Sequence, residues 1–442
     1  MSPPPKPILS DHQLPQKVDV AVIGGGIIGV MTALTLAERG VSVALFEKGV
    51  IAGEQSSRNW GWCRQMGRDL REIPLILESL KQWRGMNERV GAETGYRQAG
   101  IVYLCRDEKQ LAERRAWLEK ARRFGVSSET TGPNRVAHLV PGAATAFAGA
   151  LYTHDDGRAE PELAVPAMAE AARICGAKIY TNCAVRGIET SAGRVSAVVS
   201  ERGPVACSSV VLAGGAWSRL FCRNLKLTLP QLKVLSSVMR TAPLSGAPEV
   251  STAGDDYAFR KRLDGGYTVA HGAISISPIT PDSFNFFFQF LPALKAEWKS
   301  MRLRIGARYS LESGWPTDWE LDQVTVFERV RVLDPKPVEW VLEAARKNLS
   351  AAFPIFAKMQ VAQSWAGMID VTPDAVPVIS PVDSIPGLVI ATGFSGHGFG
   401  IGPGAGALAA DLVMGNRPVV DPHPFRFSRF SDGSKISVET GL

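Results

Sequence analysis

The sequence predicts an α/β protein. A Rossmann-like nucleotide-binding domain is assembled from separate stretches of chain, and an α+β domain built on an antiparallel sheet is inserted between them. Three observations carry this. A buried-strand pattern, a Gly-rich turn, a helix and a second buried strand succeed one another from Val18 to Glu47. A second glycine cluster, Gly396 to Gly406, comes after another buried strand more than 360 residues later. Between about 225 and 360 the apolar pattern changes to short alternating runs.

Each element rests on its own residues. Val18–Ile23 is a short apolar run suited to a buried parallel strand. Ile27–Arg39 reads as a helix stopped by Gly40, and Val41–Phe46 as a second strand closed by Glu47. The crossover between them should be right-handed. Ile73, Ile76, Leu77, Leu80 and Trp83 mark the next helix. Glu108–Phe124 alternates charge signs and carries Leu111, Trp117, Leu118 and Phe124 at helical spacing, an amphipathic helix with a solvated face. Pro161–Cys175 reads as a helix, and Lys178–Tyr180, Val185–Glu189 and Val210–Ala213 as strands. Runs such as Gly266–Ala270 predict an antiparallel sheet with helices inserted between its strands. Leu388–Thr392 returns to the buried-strand style, and Ala405–Met414 reads as an Ala/Gly-rich helix after the second cluster.

Composition excludes several classes. The chain has 442 residues, 45% hydrophobic and 21% charged, which is neither disordered nor fibrous. A net charge of +6 without a run of like charges argues against a nucleic-acid partner. The six cysteines show no CxxC and no histidine spacing suited to zinc, so reduced core thiols and no metal are expected. No apolar stretch approaches the ~18 residues of a membrane span. Residues 1–17 read as a flexible, proline-rich tail without a signal-peptide core, so a soluble cytoplasmic chain is expected. Phe284–Phe290 is either core beneath an inserted helix or a hydrophobic lid or surface patch.

The strongest motif is Gly24-Gly-Gly-Ile-Ile-Gly29 between strand and helix. Gly24 permits the tight turn, Gly26 lets a pyrophosphate approach the backbone, and Gly29 lets helix and strand close. Ile27 and Ile28 open the helix whose N–H groups face the phosphates. Glu47, 18 residues after Gly29, can accept both ribose hydroxyls, which favours NAD or FAD over NADP. The residues after Glu47 favour FAD. Lys48 and the polar loop Gly53–Arg58, with Ser56, Ser57 and Arg58, continue along a second phosphate toward a flavin, and Asn59, Trp60 and Gly61 extend that path. Val185 and a strand ending in Ala213, Gly214 and Trp217 suit close approach to the cofactor. Gly396, His397, Gly398, Phe399 and Gly400 lead into a helix whose N–H groups suit the flavin C2 carbonyl, a role the His397 side chain can share.

These blocks together resemble the D-amino acid oxidase/glycine oxidase/sarcosine oxidase superfamily of flavoproteins over nearly the whole chain. Longer strings are similar to bacterial L-amino acid deaminases: Ile51–Ser56, Trp83–Glu88, Lys178–Thr190 and Val210–Phe221. The resemblance implies oxidation of an L-amino acid to an imino acid, which hydrolyses to a 2-keto acid and ammonia. It implies an FAD-binding domain of residues 18–90, 150–224 and 361–442, and a substrate domain of residues 91–149 and 225–360. The sequence departs from the deaminases in three places. It lacks their N-terminal hydrophobic anchor, which favours O2, giving H2O2, over a membrane acceptor. The family's carboxylate-binding arginine falls at His271-Gly272, and the Gly396–Gly398 turn looks more like that of the soluble oxidases. Where sarcosine oxidases carry the cysteine that attaches FAD, six residues before the proline of Thr372-Pro-Asp374, this chain has Gly367, so non-covalent FAD is expected.

An amino-acid substrate requires a carboxylate clamp, which a planar arginine fork meets best. Arg64, after the loop Asn59–Cys63, and Arg260, in the inserted sheet, are the candidates; an ordinary ion pair is the alternative for each. Gln65 and His271 are candidates for polar contacts, and Trp365 and Phe394 for an apolar side-chain pocket. Open alternatives are a D-amino acid or secondary-amine dehydrogenase and a non-catalytic FAD-binding subunit. Assembly into a homo-oligomer also stays open.

Overall fold

The computed structural model describes residues 2–298 and 300–439. Strand β1 (Lys17–Ile23) leads into helix α1 (Ile27–Glu38) and strand β2 (Val43–Phe46). Helices α2 (Ile73–Arg84) and α3 (Glu108–Ala121) come next, then the long strands β3 (Gly203–Leu212) and β4 (Leu232–Thr241). The chain closes with β5 (Val361–Val371), β6 (Leu388–Thr392) and helix α4 (Gly398–Met414).

An eight-stranded sheet forms the first layer. β1 is central, parallel to β2 on one side and to β3 on the other, and β6 adds to β3 in the same direction. Both faces of such a sheet are covered, which is why β2 and β6 are buried at every position. On one face α1, α4 and the helix Pro161–Ile174 share a single apolar cluster. The sheet's antiparallel strands Val185–Ser191 and Arg194–Ser200 extend it beyond β3.

The inserted sheet has ten strands, mostly antiparallel, with β4 joining its parts. β5 pairs with β4 along its length, from Leu232 opposite Val371 to Thr241 opposite Val361. The expected boundary at 360/361 is therefore displaced: β5 belongs to the inserted sheet, and the chain rejoins the first sheet at Val378–Pro381. The strand Tyr267–Ala270 is buried on both faces.

Two further expectations are corrected. Residues 1–17 are not a free tail in the part described, because Asp11 exchanges backbone and side-chain hydrogen bonds with Ile179 at 2.8 Å each. The last helix begins at Gly398, seven residues before the expected start, so most of the second glycine cluster is helix. Its glycines are there for contact: a Cβ would lie 2.8 Å from the Ile27 side chain at Gly402, 2.8 Å from the Leu75 carbonyl at Gly404, and 2.5 Å from Met31 Cβ at Gly406. Ser79 reinforces this approach by donating to the Ile401 carbonyl and accepting from Gly404 N, both at 2.7 Å. The solvated helix α3, capped by Asp107, turns one flank inward: the Trp117 indole donates to the Arg68 carbonyl at 2.8 Å. Of the two readings of Phe284–Phe290, the surface patch holds, because Phe286 is buried while Phe284, Phe287 and Phe288 are exposed. Five of the six free cysteines are buried. No helix among the described residues is long and apolar enough to cross a membrane.

Candidate active site

A cavity of about 830 Å³ runs from the start of α1, past the start of α4, to the inserted sheet. At its first end Gly24 has φ +111, and a side chain there would collide with the Ala213 carbonyl. Gly24, Gly26, Ile27 and Ile28 line the cavity. Gly29 does not, because it faces the Gly24 carbonyl, where any Cβ would clash. α1 has no side-chain N-cap; Ile27 N bonds Ser56 Oγ at 2.9 Å, and the first-turn positions Gly26 and Ile28 border the cavity. This is an anion-binding helix end.

Glu47 closes β2 with one oxygen on Gly25 N and the other on Gly49 N, each 2.7 Å, leaving lone pairs for a ribose diol. Burial pushes its carboxyl above the usual range, opposed by Lys48 and by the Gly49 and Gly25 N–H groups. Lys48 borders the cavity, but its ammonium donates to Glu54 (2.7 Å) and to the Val330 and Arg331 carbonyls (2.9 Å each). With three donors spent, it fastens chain segments and has none left for a phosphate. Arg58 likewise borders the cavity while binding the Leu333 and Gly53 carbonyls and Asp334. Asn59, Trp60, Val185, Ala213, Gly214 and Trp217 also line it, and the Trp217 indole is held by Glu54 at 3.0 Å. Ser57 and Gly61 lie behind the wall: Ser57 is buried, and Gly61 packs against the Arg260 guanidinium and the Ala159 carbonyl.

Further along, Gly396, His397, Gly398, Phe399 and Gly400 border the cavity, and α4 again starts without a side-chain cap. Arg64, His271 and Phe394 also line it. Arg64 donates to the Met66 carbonyl at 2.6 Å and lies 5.8 Å from the centre of the Tyr103 ring. His271 accepts from Ala273 N and Ile274 N through Nδ1, and burial lowers its pKa.

Three expected substrate residues are corrected. Arg260 is buried behind the cavity, where its two terminal nitrogens grip Glu160 at 2.8 and 3.1 Å. Gln65 is buried and spends its side-chain oxygen on Ser127 N at 3.0 Å. Trp365 is buried too, donating to the Arg58 carbonyl at 3.0 Å. In each case a distant partner turns the side chain away from the cavity.

Other lining residues were missed. Arg68, Tyr103, Arg114 and Trp117 all face the cavity, and Arg114 stacks on Tyr103 at 5.2 Å. The i,i+4 spacing of Arg68 and Glu72 was a legible signal for an ion pair, but such pairs are ordinarily solvated and this one is buried.

The site tests well for a flavin dinucleotide: two uncapped helix ends, a carboxylate at the ribose position, and a glycine cradle that a single Cβ would fill. These features define a dinucleotide-dependent oxidoreductase. The FAD dependent oxidoreductase family matches residues 19–412, and the chain belongs to it. Its cofactor is FAD. Among solved structures it is similar to L-amino acid deaminase from Proteus myxofaciens, in complex with anthranilate, at 38% identity and TM-score 0.94, covering 97% of each chain. It is also similar to the L-amino acid deaminase from Proteus vulgaris at 36% identity and TM-score 0.92, covering 96% of this chain and 100% of that one. Among curated proteins it is 25% identical to glycine oxidase of Pseudomonas aeruginosa, covering 92% of this chain and 97% of the relative. It is 24% identical to human mitochondrial sarcosine dehydrogenase over 94% of this chain, spanning 42% of that protein.

Proposed function

We propose that the protein oxidises L-amino acids to imino acids, which water converts to 2-keto acids and ammonia, with O2 as electron acceptor and H2O2 as its product. The observation that carries this reading is Arg64. Its guanidinium borders the cavity, makes one hydrogen bond, to the Met66 carbonyl, and has no carboxylate within ion-pair distance among the described residues. An arginine has five N–H donors, so a two-pronged grip on a substrate carboxylate remains open. The likeness to the Proteus deaminases supports an L-amino acid.

Bound FAD supplies the hydride acceptor. The chain supplies orientation. With the carboxylate on Arg64, the substrate side chain extends along apolar wall such as Val238, Ile369 and Phe394. Binding there excludes water and turns an encounter into a positioned reaction.

Anaerobic mixing of the holoenzyme with L-amino acids, D-amino acids, glycine and sarcosine tests the reading. L-Amino acids are expected to bleach the yellow flavin band. Bleaching confined to D-enantiomers, or to glycine and sarcosine, overturns it. Stoichiometric peroxide in air then tests O2 as acceptor.

A further inference from the structure

His397 stands at the start of α4 with a buried carboxylate behind it. Glu72 Oε2 lies 3.0 Å from His397 Nδ1 and 3.4 Å from Arg68 Nη1, and the Glu72 side chain has no solvent exposure. Its other oxygen is buried without a hydrogen-bond partner among the described residues. Arg68 is fixed in turn, donating to the Arg64 carbonyl at 3.0 Å and to the His397 carbonyl at 3.5 Å. The cluster comes from three separate places: the segment after Arg64, the start of α2 and the start of α4.

The charges define a tautomer. Burial alone would raise the Glu72 carboxyl, but His397 and Arg68 outweigh it and hold Glu72 below its usual range. An ionised carboxylate only accepts, so Nδ1 carries the proton. Burial lowers the His397 pKa, with Glu72 acting in the opposite sense, which favours the neutral ring. The charged groups facing it are Glu72, Arg68 and Arg64. His397 lines the cavity, and Nε2 is neither buried nor bonded to another described residue. A lone pair therefore faces the reaction space.

Resting on the amine-oxidation reading, we propose that His397 Nε2 accepts the proton that a substrate ammonium must lose before its Cα–H can leave as hydride, with Glu72 as the positioning residue. The ammonium N–H bond breaks, the Nε2–H bond forms, and the positive charge passes from substrate to imidazolium. No electrons are transferred in this step. Glu72 keeps Nδ1 protonated and stabilises the imidazolium, offsetting the repulsion of Arg64 and Arg68. A positioned base of this kind contributes roughly 10²–10⁴-fold.

The test is anaerobic flavin reduction by an L-amino acid as a function of pH, in holoenzyme carrying H397Q, E72Q or E72D, together with 15N NMR of the histidine ring. Wild type should show Nδ1–H and a bare Nε2. H397Q should slow flavin reduction about 100-fold or more near neutral pH. That deficit should shrink above the pKa of the substrate amine, where the substrate arrives already deprotonated. E72Q should slow reduction about tenfold and move the acid limb to lower pH, because loss of the carboxylate lowers the His397 pKa. E72D should restore part of the rate. Deficits of equal size at every pH, or an Nε2–H tautomer in wild type, overturn the His397 role while leaving amine oxidation intact. If no amino acid bleaches the flavin, the role falls together with that reading. Should either substitution abolish FAD binding, the wild-type tautomer and E72D profile decide.

Discussion

Arg260 and Glu160 form a buried two-pronged ion pair, with Nη1 on Oε1 at 2.8 Å and Nη2 on Oε2 at 3.1 Å, and the two side chains are 1% and 4% exposed. A guanidinium bound this way is part of the framework behind the site. Arg260→Leu leaves a buried carboxylate with Arg262 and the Leu263 N–H as its remaining partners. It should cost about 3–5 kcal/mol in denaturant unfolding, with FAD present throughout. An unchanged midpoint would contradict the structural role.

Arg64→Ala should separate from that behaviour. Its one hydrogen bond is to a local carbonyl, so stability should hardly change. Losing a charged fork on the substrate should raise KM about ten- to one-hundred-fold, equivalent to about 1.5–3 kcal/mol, at unaltered flavin content. Steady-state kinetics with flavin quantitation checks this, and an unchanged KM would remove Arg64 from the clamp.

Two opposed effects meet at Gly406→Ala. Alanine favours a helix over glycine by about 1 kcal/mol. Here its Cβ would sit 2.5 Å from Met31 Cβ in the contact between α4 and α1, and overpacking of this kind costs about 1–3 kcal/mol. The packing term should win, lowering the melting temperature. Gly85→Ala, where nothing lies within 4 Å, should not lower it.

Asp156 accepts hydrogen bonds from Gln65 N at 2.7 Å and Met66 N at 3.4 Å, just behind Arg64. Burial raises its pKa from 3.8 to about 7, opposed by those two N–H groups. The folded state then holds this proton more tightly than the unfolded chain does. Stability from this group should fall as pH rises from about 4 to about 7 and level off above. Asp156→Asn should flatten that part of the profile in denaturant titrations at stepped pH. Persistence of the slope would place its origin elsewhere.

Gly367 borders the cavity with no side chain to bond a flavin, and a Cβ there would meet only Arg58 carbons at 3.5 Å. Denaturing the holoenzyme should release all the FAD into the supernatant. Yellow colour left on the precipitated chain would show a covalent link.

Much of the cofactor half was legible because its signals are local. The turn Gly24–Gly29, the carboxylate Glu47 and the strand before Ala213 each announce themselves within a few residues, and all but Gly25 and Gly29 of the turn reach the cavity. The glycine-rich half of α4 was misread for an equally physical reason. Glycine is a poor helix former by itself, and only contact with Ile27, Leu75 and Met31 makes it the residue that fits.

The substrate half shows the division most clearly. The sequence by itself determined that a split nucleotide-binding domain would hold a dinucleotide, because backbone geometry at glycine and the periodicity of buried strands are properties of short segments. Only the tertiary structure decided that Arg64 faces the cavity while Arg260 turns away, and that Glu72 stands behind His397. Those outcomes depend on partners 100 and 325 residues distant in the chain. A charged side chain goes wherever its desolvation is compensated, and nothing within a short window of sequence says where that compensation lies.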